Sequence, residues 1–353
     1  MSTFAILYEP ATYTRDRNNL VYDSFGIKYE FIRGSSEASE KGLNDEASRS
    51  LADYPIWMLI RHLWSILKCN DTVIINGYNH RYFIILFCLN LFWRRRIGID
   101  SDTQLVIPSN PVKRWVKNLY LGTIFRNRNV YGLAGGNQSH KSLFRHYGMD
   151  EKRVFLMPMM VNNDRFYYVK DECPNSPFVF LYVGRIVSCK NIETLLDAFV
   201  KEFFNQDNVQ LRIVGDGEML PDLKSKYRAS DRIVFLGKKY GADLAEQYHQ
   251  ASVFVLPSSH EPWGLVVNEA MCASLPVIVS DQVGAAYDLV EGHDTGFVFK
   301  YNDVEELGKR MRMLYEDSVL CKRCSENAYK RMHDYWNYSL YSSCLSSFLS
   351  CKQ

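Results

Sequence analysis

Acidic residues are missing from one long stretch of this chain. Between Thr103 and Met149 there is no Asp or Glu, although the 353-residue sequence carries 40 of them. The same stretch holds Lys113, Arg114, Lys117, Arg126, Arg128, Lys141 and Arg145, with Arg94, Arg95 and Arg96 just upstream. A net charge of only +2 therefore hides a basic face in the first half, suited to an anionic partner: lipid headgroups, phosphates or nucleic acid. No nucleic-acid recognition motif accompanies it, so nucleic acid is not expected. Long apolar runs are lacking too. The longest, Tyr82 to Trp93 (YFIILFCLNLFW), falls short of the ~20 residues that span a bilayer and reads as a buried or interfacial helix. Cys321 and Cys324 have no second CxxC and no histidines at zinc spacing, so they read as two positions on one helix. The nine cysteines are odd in number and scattered, with no secretory signal pattern before them, so reduced thiols in a cytoplasmic protein are expected. A dinucleotide fingerprint is missing as well: Gly215 and Gly217 end an apolar strand, but Leu220 stands where the third glycine would be.

What is present is an ordinary globular composition, 47% apolar and 14% aromatic, in a chain long enough for two domains. Short apolar strands (TFAILYE, IKYEFI, TVIING, RIGID, NVYGLAG, VFLMPMMV) alternate with amphipathic stretches such as WMLIRHLWSILK and VKRWVKNLYLGTIF. After the polar segment Val169–Pro177, a linker by composition, the alternation resumes with PFVFLYVG, VQLRIVGDG, RIVFLG, SVFVLPS, LPVIVS and GFVFK. This is the pattern of parallel sheets with crossover helices, α/β in class. The expected division is an N-terminal Rossmann-like domain over 1–170, a C-terminal Rossmann-like domain over 171–330, and a helical segment 331–353 packing back on the first. Ligands are expected at the carboxyl ends of the strands.

Two loops of the second half concentrate the chemistry. Gly184 permits a tight turn after FVFLYV, and Arg185 and Lys190 then flank a helix start, where two cations and the free N–H groups suit a diphosphate. In HEPWGLVVNEAM, Glu261 follows the strand SVFVLPS, Pro262 and Gly264 introduce a helix, and the first N–H groups of Gly264, Leu265 and Val266 make an anion site without any side chain. Glu269 lies further along that helix, where a carboxylate accepts two hydrogen bonds from a diol.

In order and at matching spacing, LYVGRIVSCKNIETLLDAF, LRIVGDGEM, RIVFLGKKYG and the stretch from SVFVLPSSHEPWG to GFVF resemble family 4 of the retaining glycosyltransferases. The likeness is close from Phe178 to Asp317. It implies the GT-B fold, two Rossmann-like doubly wound domains facing across a cleft. It also implies a metal-independent hexosyltransferase that uses a nucleotide diphosphate sugar, UDP- or GDP-linked, as donor substrate and no cofactor. The matching positions imply that Glu261 contacts the donor sugar, Glu269 binds the ribose, and Arg185 and Lys190 hold the diphosphate. Backbone around Gly264, Leu265 and Val266 contacts phosphate, Gly184 and Gly215 shape the site, and Gly237 and Lys238 wall the base. Trp263, Asn268 and Ala285 stand where the family more often has Phe, Leu and Gly.

In the first half, Asp100 and Asp102 end the strand RIGID as a DxD triplet. With a metal-free diphosphate site elsewhere, they are acceptor-side candidates rather than metal ligands. The basic, aromatic segments around Trp115 and Tyr120 suit an anionic membrane surface, so a membrane-peripheral protein is expected, and the family resemblance implies a saccharide or lipid-linked saccharide acceptor, as in surface polysaccharide biosynthesis. A nucleotide-sugar epimerase on a similar scaffold is the alternative. The sequence does not specify the oligomeric state.

Overall fold

The alternation of strands and helices resolves into two parallel six-stranded sheets in a computed structural model of the chain, which describes residues 2–34, 50–168 and 177–351. The chain divides into two units, Met1–Met159 with Tyr338–Gln353, and Met160–Asn337. The expected linker lies outside the described residues apart from Pro177.

In the first unit the strands are β1 (Thr3–Leu7), β2 (Lys28–Phe31), β3 (Thr72–Asn76), β4 (Arg96–Ser101), β5 (Val130–Ala134) and β6 (Val154–Leu156), in the order β2-β1-β3-β4-β5-β6. VFLMPMMV is thus a strand only over its first three residues. Strands β1, β4 and β5 are buried along their whole length, which is what a parallel sheet covered on both faces requires. On one face Ile6, Val73, Ile75, Ile97 and Ile99 meet Leu59, Leu63, Phe83, Leu86, Leu121 and Phe125. These come from helices Ile56–Cys69, Arg81–Trp93 and Pro111–Phe125. On the other face lies the last helix, Tyr338–Ser350, with the Phe348 ring 5.8 Å from that of Tyr131.

That helix corrects the reading of the basic block. Arg96 is buried, and its guanidinium donates to the carbonyls of Phe348 (3.0 Å), Leu349 (3.3 Å) and Cys351 (2.9 Å), satisfying the carboxyl end of the helix. Arg95 does the same for Ile56–Cys69, donating to the carbonyls of Leu67 (3.1 Å) and Lys68 (3.4 Å). Arg96 is thus no surface cation, while Arg95, 32% exposed, also pairs with Asp71 at 3.4 Å. Lys113, Arg114, Arg126 and Arg128 are exposed, as is Trp115, whereas Tyr120 is half-buried with its hydroxyl donating to the carbonyl of Tyr78 (2.5 Å). No helix among the described residues is long and apolar enough to cross a membrane.

In the second unit β7 (Phe178–Val183), β8 (Val209–Val214), β9 (Ile233–Gly237), β10 (Val253–Leu256), β11 (Val277–Ser280) and β12 (Gly296–Phe299) run in the order β12-β11-β10-β7-β8-β9. Each sheet therefore has one point where neighbouring strands send their connections in opposite directions, between β1 and β3 in the first and between β7 and β10 in the second. At such a point the loops diverge and leave backbone groups open at the carboxyl ends, where α/β sheets bind ligands. No disulfide links the cysteines of the described residues. Cys321 and Cys324 are both buried on helix Ser318–Lys330, and burial pushes the Cys324 thiol up to about 11.

Candidate active site

The loops after β7 and β10 meet at the divergence point of the second sheet. After β7 the chain passes Gly184, exposed Arg185 and a turn at Ser188–Lys190, then enters helix Ile192–Glu202. After β10 it passes Glu261 and enters helix Leu265–Cys272. Ser259 joins the two: its N–H (2.9 Å) and its hydroxyl (3.0 Å) both donate to the carbonyl of Cys189. One residue further, the Lys190 ammonium forms an ion pair with the Glu261 carboxylate, both side chains largely shielded from water at 13% and 15% exposure. A cation and a carboxylate, read from the sequence as separate contacts, thus touch.

Glu261 is fixed from behind as well. Its N–H donates to the carbonyl of Gln282 (3.2 Å), and its carbonyl accepts from Gly284 (3.0 Å). Trp263 extends this ladder by accepting from the N–H of Ala285 (3.0 Å), so the Ala285 N–H is spent on structure. The two departures at 263 and 268 prove to be a pair. Trp263 is buried, stacked on Trp336 with centroids 5.4 Å apart, and its indole N–H donates to the side-chain oxygen of Asn268 (2.8 Å). A buried indole N–H needs an acceptor, and a leucine at 268 would supply none.

Gly264 has φ +97 at the start of the helix, a conformation that favours glycine, and a Cβ there would lie a tight 3.2 Å from the Glu261 side chain. Gly264, Leu265 and Val266 then occupy the first turn, whose N–H groups have no partner within a helix. Gly215 is explained by close approach: a Cβ would fall 1.8 Å from the Gly184 carbonyl oxygen. The N–H of Gly184 donates to Val214 (3.0 Å), and that of Gly215 donates to Gly237 (2.9 Å), so these three glycines seam adjacent loops. Lys238 is exposed, 3.8 Å from Asp216. Glu269 accepts from the hydroxyl of fully buried Tyr248 (2.7 Å). Burial, with the Glu269 charge second, pushes the Tyr248 phenol well up, so it remains a donor and fixes one carboxylate oxygen. Sequence reasoning gave no role to Tyr248, Ser259 or Trp336; Ser259 lies within SVFVLPSSHEPWG, but its partner Cys189 is 70 positions away.

The first unit places Asp100 and Asp102 at a cavity of about 360 Å³ beyond the ends of β1, β3 and β4. Asp100 is buried and paired with Arg17 at 3.3 Å, and it accepts from the Asn76 amide (2.6 Å). Burial raises its carboxyl above the usual range, against the lowering by Arg17. Asp102 is half-buried on the cavity wall. Among the described residues no group of three or more His, Cys, Asp or Glu is placed to hold a metal ion.

Residues 166–331, nearly all of the second unit, match the family described as glycosyl transferases group 1. The chain is 30% identical over 258 residues to the capsular polysaccharide biosynthesis glycosyltransferase CapM of Staphylococcus aureus, covering 72% of this chain and 61% of that protein. It is 35% identical over 158 residues to the alpha-monoglucosyldiacylglycerol synthase of Acholeplasma laidlawii, covering 44% of this chain and 39% of the relative. The matches span between 28% and 61% of the lengths of the curated relatives. Among solved structures, Anabaena HepE in complex with UDP superposes with a TM-score of 0.75 at 15% identity, covering 99% of this chain and 100% of that one. The fold is GT-B. The match to the group 1 glycosyl transferases takes in 166 of the 353 residues, just under half of the chain.

Proposed function

We propose that the protein transfers a sugar from a nucleoside diphosphate sugar to a saccharide or lipid-linked saccharide, with retention of configuration and without a metal. The observation that carries this is the shielded Lys190–Glu261 pair at the divergence point of the second sheet, beside the free first turn of helix Leu265–Cys272. A diphosphate brings negative charge to that place, and Lys190, Arg185 and the N–H groups of Gly264, Leu265 and Val266 are the donors that stabilise it. As the bond from the anomeric carbon to the diphosphate oxygen breaks, its electron pair stays on the diphosphate. The acceptor hydroxyl bonds to the anomeric carbon on the same face and gives its proton to the departing phosphate. Glu261 positions the sugar and balances its developing positive charge. Glu269, with one oxygen already fixed by Tyr248, takes the ribose hydroxyls, and Gly237 and Lys238 wall the base. UDP is the favoured nucleotide, supported by the likeness to UDP-bound HepE.

A panel of UDP-, GDP- and ADP-sugars tests the reading. One of them is expected to raise the melting temperature of wild type and to release its nucleoside diphosphate when acceptor is supplied. Absence of any shift across the panel, or conversion of the donor to an epimer without acceptor, overturns it.

The acceptor is proposed to lie at a cytoplasmic membrane surface. Helices Ile56–Cys69, Arg81–Trp93 and Pro111–Phe125 expose Trp57, Phe92 and Trp115 at 62–70%, with exposed Arg61, Arg94, Lys113 and Arg114 nearby in sequence. Exposed aromatics among cations suit an anionic leaflet, each basic side chain contributing roughly 1 kcal/mol. The protein is expected to float with vesicles containing phosphatidylserine at low salt and to be released by high salt. Flotation with neutral vesicles alone, or with none, removes this part.

A further inference from the structure

The cavity of the first unit has a charge pattern that selects among acceptors. The lining residues able to carry positive charge, Arg17 and His80, are already engaged, as is Arg33 nearby. Arg17 is buried against Asp100 and between the rings of Tyr22 (5.2 Å) and Tyr341 (5.8 Å). Arg33 donates to Glu9 at 2.9 and 3.2 Å and lies over the Tyr8 ring at 4.4 Å. His80 uses both ring nitrogens: one donates to the carbonyl of Asn76 (2.8 Å), and the other accepts from the N–H of Phe83 (3.2 Å). That arrangement fixes one neutral tautomer, and burial lowers its pKa further. Asp102, on the wall of the same cavity, has no ion pair or hydrogen bond among the described residues.

We infer that this cavity holds an uncharged sugar ring by its hydroxyls and turns away a phosphorylated one, an inference that rests on the glycosyltransferase reading. The volume of about 360 Å³ lies within the range of small-ligand sites. A sugar hydroxyl donates to the Asp102 carboxylate, while the faces of Tyr8 and His80 offer apolar surface to the ring's C–H groups. A phosphate would meet the Asp102 carboxylate and no available cation among the lining residues, which disfavours it through charge repulsion.

The test uses the full chain carrying Arg185→Ala and Lys190→Ala, so that phosphates gain nothing from the second unit. Glucose, galactose, mannose and N-acetylglucosamine, each with its 6-phosphate, are titrated by saturation-transfer NMR. At least one neutral sugar is expected to bind, with its 6-phosphate weaker by about tenfold. Asp102→Lys is expected to bring the phosphate to parity or better, and Asp102→Asn, which keeps the shape, to narrow the gap. Equal or tighter binding of the phosphates with Asp102 present, no binding of any neutral sugar, or no response to either substitution overturns the inference. Nucleotide binding by wild type is measured separately. Its failure would sink the donor reading while leaving the sugar preference measurable.

Discussion

Lys190→Ala is expected to lower sugar transfer by about two to three orders of magnitude, the scale found when one preorganised donor to a developing anion is removed. Nucleotide affinity should fall with it, because the ammonium would hold the diphosphate before and after the bond breaks. The physical basis is proximity under shielding. Both Lys190 and Glu261 keep little contact with water, and an opposite charge at ~4 Å is worth on the order of 4 kcal/mol at an effective dielectric near 20. In the free protein that attraction goes to Glu261; with donor bound, the ammonium is shared with the diphosphate. Glu261→Gln separates the roles. It keeps the shape, the backbone ladder to Gln282 and Gly284 and a side-chain acceptor, but frees Lys190 from its partner. Nucleotide affinity should therefore hold or rise in Glu261→Gln while transfer falls, whereas both fall in Lys190→Ala. Titration calorimetry with the nucleoside diphosphate and a turnover assay read the two quantities independently. Wild-type turnover in Lys190→Ala would remove the diphosphate role; reduced nucleotide affinity in Glu261→Gln would show that the carboxylate binds the nucleotide rather than competing for the cation.

The scaffold of this site was legible because it rests on local signals. A strand buried on both faces reads as a continuous apolar run, and glycine is placed by backbone needs that no other residue meets. So FVFLYVG and SVFVLPS mark β7 and β10, and Gly184, Gly215 and Gly264 mark loops that must turn sharply or touch. Helix Ile192–Glu202 falls where its periodicity puts it. The signals that failed are the ones carried by long-range pairing. Arg96 reads as the third member of a basic triplet, and nothing local tells that it is drawn inward by carbonyls more than 250 positions later. Trp263 and Asn268 look like two independent departures, yet they form one hydrogen bond because a larger ring brought an N–H into the core. Charged residues suffer most. A side chain with a long reach has its partner chosen by tertiary structure, and sequence then defaults to solvent. The cavity of the first unit was visible only as its acidic rim. Its floor is built from Arg17, at the end of the short helix Thr12–Arg17, and from Tyr341, in the last helix.

That floor carries the second large effect. Arg17 and Asp100 have side-chain exposures of 11% and 7%, and Tyr22 and Tyr341, linked by their hydroxyls at 3.3 Å, close over the guanidinium. Arg17→Met keeps the apolar length but strands a carboxylate, and removing one partner of a buried pair costs about 3–5 kcal/mol. The Asn76 amide is a further donor to Asp100. Burial already raises the Asp100 carboxyl, and losing Arg17 removes an opposing influence, so its folded pKa rises further above the unfolded value of ~3.9. A group raised on folding favours the native state below its unfolded pKa and loses that contribution as pH climbs through the folded one. The stability gap between wild type and Arg17→Met should therefore widen as pH rises from 5 to 8. Adding Asp100→Asn should close much of it and flatten its pH dependence, since an amide has no charge to strand. Tyr341→Phe, which keeps the ring over Arg17 and removes one hydroxyl, should cost only about 1 kcal/mol. Urea unfolding of the four proteins at three pH values measures all of this. A gap that narrows with pH, or no rescue by Asp100→Asn, would show that the Arg17–Asp100 pair does not support the cavity floor as described.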